Sequence, residues 1–246
     1  MPQGHWAKRG EKGARVIRPT LSLVDRGLQH FPQALTIGIE ALEAILSEVG
    51  QEGPGTRITN APELDRFLDP EGALAAVLAE CGALGTRPVR AILFDKSMNQ
   101  NWALGWHQDR TICVKDRVGV EGFGPFTRKQ GLVHVEPPFE IIERMTTLRI
   151  HLDDVPMDNA PLLVAEGSHR LGKIPVSEVD AIAASLPTCA CLARRTDVWA
   201  YSTPILHASK RAGNGGRRRV LQVDYSPDDL PPPLEWLGIC SPSEPN

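Results

Sequence analysis

Residues 146–164 read Thr-Thr-Leu-Arg-Ile-His-Leu-Asp-Asp-Val-Pro-Met-Asp-Asn-Ala-Pro-Leu-Leu-Val. From Thr146 to Leu152 the side chains alternate. Leu148, Ile150 and Leu152 fall on one face and Thr147, Arg149 and His151 on the other, the period of a strand with two different surroundings. Pro156-Met157-Asp158-Asn159 is turn chemistry, and Leu162 to Val164 opens a second apolar run. The texture extends outward to Arg90–Phe94, Thr111–Val114, Val198–Tyr201 and Val220–Tyr225, with separators such as Gly213-Asn214-Gly215-Gly216. Ser177 to Leu186 reads as a short inserted helix.

The N-terminal third reads differently. Leu35, Ile39, Leu42, Ile45 and Leu46 recur at helical spacing within Phe31–Val49, and Gly50 follows as a stop. A second helix is expected from Asp69-Pro70 through Leu74, Val77 and Leu78 to Gly82. Helices first and many strands later predict a mainly β sandwich or barrel with helices packed on one outer face. Residues 115–145, with Gly119, Gly122, Gly124, Pro125 and Pro137-Pro138, read as one long loop of the kind that forms lids or binding loops.

Composition sets the outer limits. A chain of 246 residues suits one domain with a sizeable core. The division expected is an N-terminal arm and helices over 1–88, a β core over 89–226 and a tail over 227–246. With 27 basic and 30 acidic side chains, the net charge of −3 gives no reason to expect nucleic acid. No apolar run approaches bilayer length, so no membrane partner is expected. Lys8, Arg9, Lys12, Arg15 and Arg18 precede no apolar segment, which makes a flexible basic arm rather than a secretory signal. Cys81, Cys113, Cys189, Cys191 and Cys240 are odd in number and lack CxxC spacing, which points to a reducing, cytoplasmic compartment. Cys189 and Cys191 share a strand face and read as core residues. The expected partner is a small-molecule substrate, and no oligomer is specified.

The chemistry gathers around Trp106-His107-Gln108-Asp109. One residue separates the imidazole from the carboxylate, so on extended backbone both project to one side and can meet one ion. His207, just after a predicted strand, is the candidate third ligand. Two histidines and a carboxylate make the facial triad that leaves positions open on iron(II). Arg218 follows His207 by eleven residues and can fork onto a carboxylate, and Ser209 can offer it a hydroxyl.

With those residues in place the chain resembles the phytanoyl-CoA dioxygenase family. The resemblance rests on WHQD at 106–109, LRIHLDDVPMDNAPLLVAEGSHR at 148–170, TDVWAYSTPILHAS at 196–209 and RRRVLQVDY at 217–225. It implies a double-stranded β-helix, or jelly roll, with His107, Asp109 and His207 on Fe(II). It also implies that Arg218, assisted by Ser209, holds the distal carboxylate of 2-oxoglutarate, and that O2 is consumed as succinate and CO2 are released. Hydroxylation is the expected outcome. A cupin-like metal enzyme without a keto acid, or a non-catalytic jelly-roll binding protein, are the alternatives.

Two departures stand out. Ala160-Pro161-Leu162 and Ala165-Glu166-Gly167-Ser168-His169 replace the Gly-Ala-Leu and Pro-Gly-Ser-His of many relatives, which predicts an altered turn. Arg149 stands where relatives often place an aromatic residue. An inward arginine needs an anion, either a carboxylate of 2-oxoglutarate or substrate, or a protein acid such as Glu143 or Asp153. Lys96, where the family also tends to have lysine, reads first as solvated and second as reaching the keto acid. His134 is set aside as an iron ligand in favour of a substrate contact. His151 shares the Arg149 face, His169 is expected to organise its own loop, Trp106 reads as core, and Trp102 as core or pocket wall. Of Arg217, Arg218 and Arg219, alternation turns one inward and leaves two in solvent.

Overall fold

The structure, a computed structural model, describes residues 23–49, 55–83, 85–97, 101–213 and 216–240. The basic arm, Gly50, part of the Gly213–Gly216 loop and the end of the tail lie outside the described residues. The chain opens with α1 (Leu23–Arg26), β1 (Leu28–Phe31), α2 (Ile39–Ser47), β2 (Thr56–Ile58), α3 (Pro62–Phe67) and α4 (Ala75–Glu80). Next come β3 (Arg87–Lys96), β4 (Leu104–His107), β5 (Ile112–Val114), β6 (Phe126–Lys129), β7 (Leu132–Val135) and α5 (Phe139–Glu143). The rest is β8 (Thr146–His151), β9 (Leu162–Ala165), α6 (Val179–Ser185), β10 (Thr188–Cys191), β11 (Val198–Ser202), β12 (His207–Ser209) and β13 (Arg218–Ser226).

The strands form three antiparallel sheets, ordered β1-β11-β8-β13-β3-β2, β10-β9-β12-β4 and β5-β7-β6. This is a mainly β fold, consistent with a jelly roll. Alternation divides the six-stranded sheet between two environments. Leu148, Ile150, Val198, Ala200, Leu221 and Val223 face one way, into a cluster shared with Leu35, Ile39, Leu42, Leu64 and Leu78 of the N-terminal segment. The opposite face carries Arg149, Tyr201, Arg218, Gln222 and Asp224, turned toward the four-stranded sheet. Leu162 and Val164 of β9 pack there with Trp199 and Tyr201.

Several expectations need correction. The N-terminal third also supplies strands, since β1 pairs with β11 and β2 with β3, and its helices are short and separated by turns. The expected Phe31–Val49 helix is a strand end and a set of turns before α2. Asp69 does not cap a helix; its Oδ1 accepts from the Glu71 amide at 2.8 Å, which folds the chain into a local turn. Residues 115–145 are not one loop, since they contain the β6–β7 hairpin and α5. The six downstream strands and the helix within Ser177–Leu186 are present close to their expected places.

The turn before the Gly-Ser-His loop has its own solution. Ala160 is left-handed (φ 50°), a conformation that costs a side chain but turns its carbonyl toward Arg218. Glu166 is taken up by Arg26, whose Nε lies 2.6 Å from its carboxylate. No helix of the described residues is long and apolar enough to cross a membrane.

Candidate metal centre

β4 ends on His107 and β12 begins on His207, and the antiparallel pairing sets the two directly opposite each other. Asp109 lies just beyond the end of β4. The three offer ligand atoms that all fall within 4.8 Å of one another. Each imidazole is oriented from behind: Nδ1 of His107 is 2.8 Å from the Gly105 carbonyl and Nδ1 of His207 is 3.0 Å from that of Ile205. A nitrogen facing a carbonyl must carry the proton, so each Nε2 keeps its lone pair for the shared centre.

The charges agree with this tautomer. Burial acts to raise the pKa of Asp109, but the Arg90 guanidinium and then His207 and His107 outweigh it and bring it down to about 2. Burial, and then the neighbouring His107, lower that of His207 to about 4. An anionic carboxylate and a neutral imidazole are the states that bind a divalent cation without first losing a proton. The donor set, its tautomers and its spacing fit a two-histidine, one-carboxylate iron site.

The three residues open on a cavity of about 290 Å³ between the sheets. Its far wall is cationic. Arg218 is 2% exposed, donates to the Ala160 carbonyl, and has no partner for Nε among the described residues. Burial, and then Arg149, lower its pKa to about 9. Arg149 donates to Gln222 Oε1 at 2.9 Å and lies 5.1 Å above the Phe94 ring, its Nε again unpartnered among the described residues. The protein-acid reading of Arg149 is therefore overturned: Glu143 is not its partner, and Asp153 receives Arg219 at 2.6 Å. Two buried guanidinium groups with unused donors, side by side, make a receptor for a carboxylate.

Lys96 is not solvated. It is 1% exposed and donates to the carbonyls of Trp102 and Lys210, both at 2.8 Å, with Ser209 Oγ at 3.4 Å. Burial, then Arg218 and Arg149, lower its pKa to about 7. Trp102 and Ser209 face the cavity in front of it, which makes Trp102 a pocket wall.

His134 is wholly buried, with Nδ1 3.1 Å from the Leu132 carbonyl, and does not line the cavity; its reading as a substrate contact is not supported. His151 is buried with both ring nitrogens unpartnered among the described residues. His169 reaches the Val24 carbonyl at 3.2 Å, so it ties its loop to the N-terminal segment rather than organising it locally. Trp106 packs in a small apolar cluster with Ile174 and Leu206. Arg217 and Arg219 point outward to Asp95 and Asp153, though Arg219 is only partly exposed.

Gln222, Arg90, Arg57 and Lys129 also line the cavity and were not anticipated. Gln222 and Asp224 were legible in principle, since they lie four and six residues after Arg218 on the same strand face. Arg57 and Lys129 sit on strands too short to carry a periodicity.

The profile of the phytanoyl-CoA dioxygenase (PhyH) family matches residues 55–220. The chain belongs to the phytanoyl-CoA dioxygenase family. Solved structures agree on the fold. The carbocyclase SnoK from nogalamycin biosynthesis superposes with a TM-score of 0.62 at 18% identity, covering 84% of this chain and 82% of that one. The epimerase SnoN, solved with Fe3+, alpha-ketoglutarate and nogalamycin RO, gives 0.61 at 16%, covering 86% and 88%. HygX from Streptomyces hygroscopicus, with nickel, 2-oxoglutarate and hygromycin B bound, gives 0.57 at 15%, covering 83% and 84%. No curated protein matches this member of the phytanoyl-CoA dioxygenase family in sequence.

Proposed function

We propose that this chain is a non-haem iron(II)- and 2-oxoglutarate-dependent dioxygenase that oxidises, by hydroxylation, a small organic molecule. The observation that carries the reading is the pairing of two walls in one cavity. His107, Asp109 and His207 present a correctly protonated facial triad, and Arg218 and Arg149 face it with unused buried donors. A cupin-like hydrolase would leave those two arginines without a purpose, and a passive binding protein would leave the oriented triad without one. Bound iron(II), with 2-oxoglutarate and O2, supplies oxidation of an unactivated C–H bond with release of succinate and CO2.

The residues of this chain do the rest. Arg218, steadied by the Ala160 carbonyl and assisted by Ser209, holds the distal carboxylate of 2-oxoglutarate. Arg149, fixed by Gln222 and Phe94, faces the same anion. Lys96 positions Ser209 and Trp102 from behind. The cavity between the two sheets holds the substrate C–H in place beside the centre. SnoK and SnoN are named for ring closure and epimerisation, and in this fold the outcome is set by which C–H bond the cavity presents. The catalytic unit is taken to be the whole chain, acting in a reducing, cytoplasmic setting.

The test is an anaerobic titration of the apoprotein with iron(II) and then 2-oxoglutarate. A weak visible charge-transfer band that is absent in Arg218→Ala is expected. Iron binding without any band would move the protein to the metal enzymes that use no keto acid.

A further inference from the structure

The same cavity holds more positive charge than the proposed co-substrate accounts for. Among the described residues, Arg57, Arg90, Lys129, Arg149 and Arg218 line it, and Asp109 is the single acid there. Arg149 and Arg218 face the keto acid on the reading above, and Arg90 is matched by Asp224 behind it and by Asp109 at 3.4 Å. Arg57 and Lys129 remain. The Nε of Arg57 is buried without a partner among the described residues.

The fold places this pair deliberately close. In β2, Ile58 faces the apolar core beneath the N-terminal helices, so alternation turns Arg57 to the cavity side. The β6–β7 turn, with Gln130 and Gly131 both left-handed, is clamped to β2 by the Gln130 side chain. That side chain accepts from the Arg57 amide at 3.2 Å and donates to the Gly55 carbonyl at 3.0 Å. Lys129, one residue before the turn, is thereby held beside Arg57 at the cavity rim. Burial and then Arg90 lower the pKa of Arg57, and burial, then Arg57 and Arg90, lower that of Lys129. Two cations held together against their own charge bind an anion well, because the anion relieves the repulsion. Trp102, Phe94, Leu104 and Leu162 give the same cavity an apolar and aromatic lining.

We infer that the primary substrate is an organic oxyanion, a carboxylate or phosphate on an apolar body, whose charged end is held by Arg57 and Lys129 at the cavity rim. This rests on the functional reading above, since it takes Arg149 and Arg218 to be reserved for 2-oxoglutarate.

Calorimetric titration of the anaerobic iron(II)- and 2-oxoglutarate-loaded protein with 3-phenylpropionate, phenyl phosphate, 3-phenylpropanamide and 3-phenylpropylamine tests it. At least one anion is expected to bind on the order of tenfold tighter than the amide, the worth of one charge-assisted contact, and the amine weakest. Which anion binds better separates a carboxylate from a phosphate substrate. Arg57→Gln, and separately the exposed-site variant Lys129→Ala, are expected to lower anion affinity by a similar factor, leaving the amide's affinity and the keto-acid band unchanged. Equal affinities, or no binding of any probe, overturns the inference. Loss of the band in either variant also overturns it, because the residue would then belong to the keto acid. If the unmodified protein forms no band, the functional reading fails, and the same titration of the apoprotein still decides the anion site, since Arg57 and Lys129 need no metal.

Discussion

His107 and His207 face each other across the β4–β12 pair with ring centroids 4.2 Å apart, each held through Nδ1 by the carbonyl two residues before it. The strand register therefore fixes both the separation and the tautomer of the two imidazoles before any ion arrives. Preorganisation of this kind makes the ligand set intolerant of substitution. Asp109→Ala and His207→Ala are each expected to abolish stoichiometric iron(II) binding in anaerobic titration, together with 2-oxoglutarate-dependent O2 uptake. Full uptake in either variant would remove that residue from the metal centre.

Arg218 is expected to act on the keto acid and not on the iron. Losing a buried, charged, two-pronged contact costs roughly 2–5 kcal/mol, so Arg218→Ala should raise the 2-oxoglutarate requirement by well over tenfold while iron(II) affinity changes little. Arg218→Lys should not rescue it, because an ammonium cannot reproduce the fork that spans a carboxylate and the Ala160 carbonyl. A variant with unchanged 2-oxoglutarate dependence would make Arg218 a structural residue.

What the sequence disclosed and what it hid follow one physical line. Thr146–Leu152 and Val220–Tyr225 alternate between an apolar core and a polar interior, so their period was visible, and the HxD spacing carried the triad. β1 and β2 have four and three residues, too few for a period, and their partners β11 and β3 are distant in the chain. The β6–β7 hairpin was hidden because β6 is largely exposed and lacks an apolar face. Lys96 was misjudged, and the neutral partner of the inward Arg149 missed, for another reason. Their partners are the carbonyls of Trp102 and Lys210 and the amide of Gln222, and neutral acceptors supplied by distant segments leave no charge pattern to read.

His134 provides a pH test away from the metal centre. It is wholly buried, and that burial lowers its pKa from 6.5 to about 4. The unfolded chain then binds the extra proton first, so this residue's contribution to stability is complete above about pH 6.5 and is lost as the pH falls through 4. The full effect is on the order of 3 kcal/mol. Urea unfolding of the apoprotein between pH 7 and 4 should show a smaller loss of stability in His134→Leu than in the unmodified chain. Parallel profiles would mean that His134 is not held neutral by its burial.

Gly27 joins α1 to β1 with φ +80°, a region that disfavours any side chain. Its carbonyl accepts from the Ser202 amide at 2.9 Å, which docks β1 on β11. A Cβ built there would fall 2.3 Å from His169 Nδ1 and 2.6 Å from Ile205 Cδ1. Ile205 in turn supplies the carbonyl that orients His207, so a clash at Gly27 reaches the metal centre through one residue. Gly27→Ala is expected to destabilise the fold by roughly 1–2 kcal/mol from backbone conformation alone, with crowding added, and to weaken iron(II) binding. Thermal unfolding and anaerobic iron titration on the same variant separate the two effects. A lowered Tm with unchanged iron affinity would show that the Ile205 carbonyl holds its place when the glycine contact is lost.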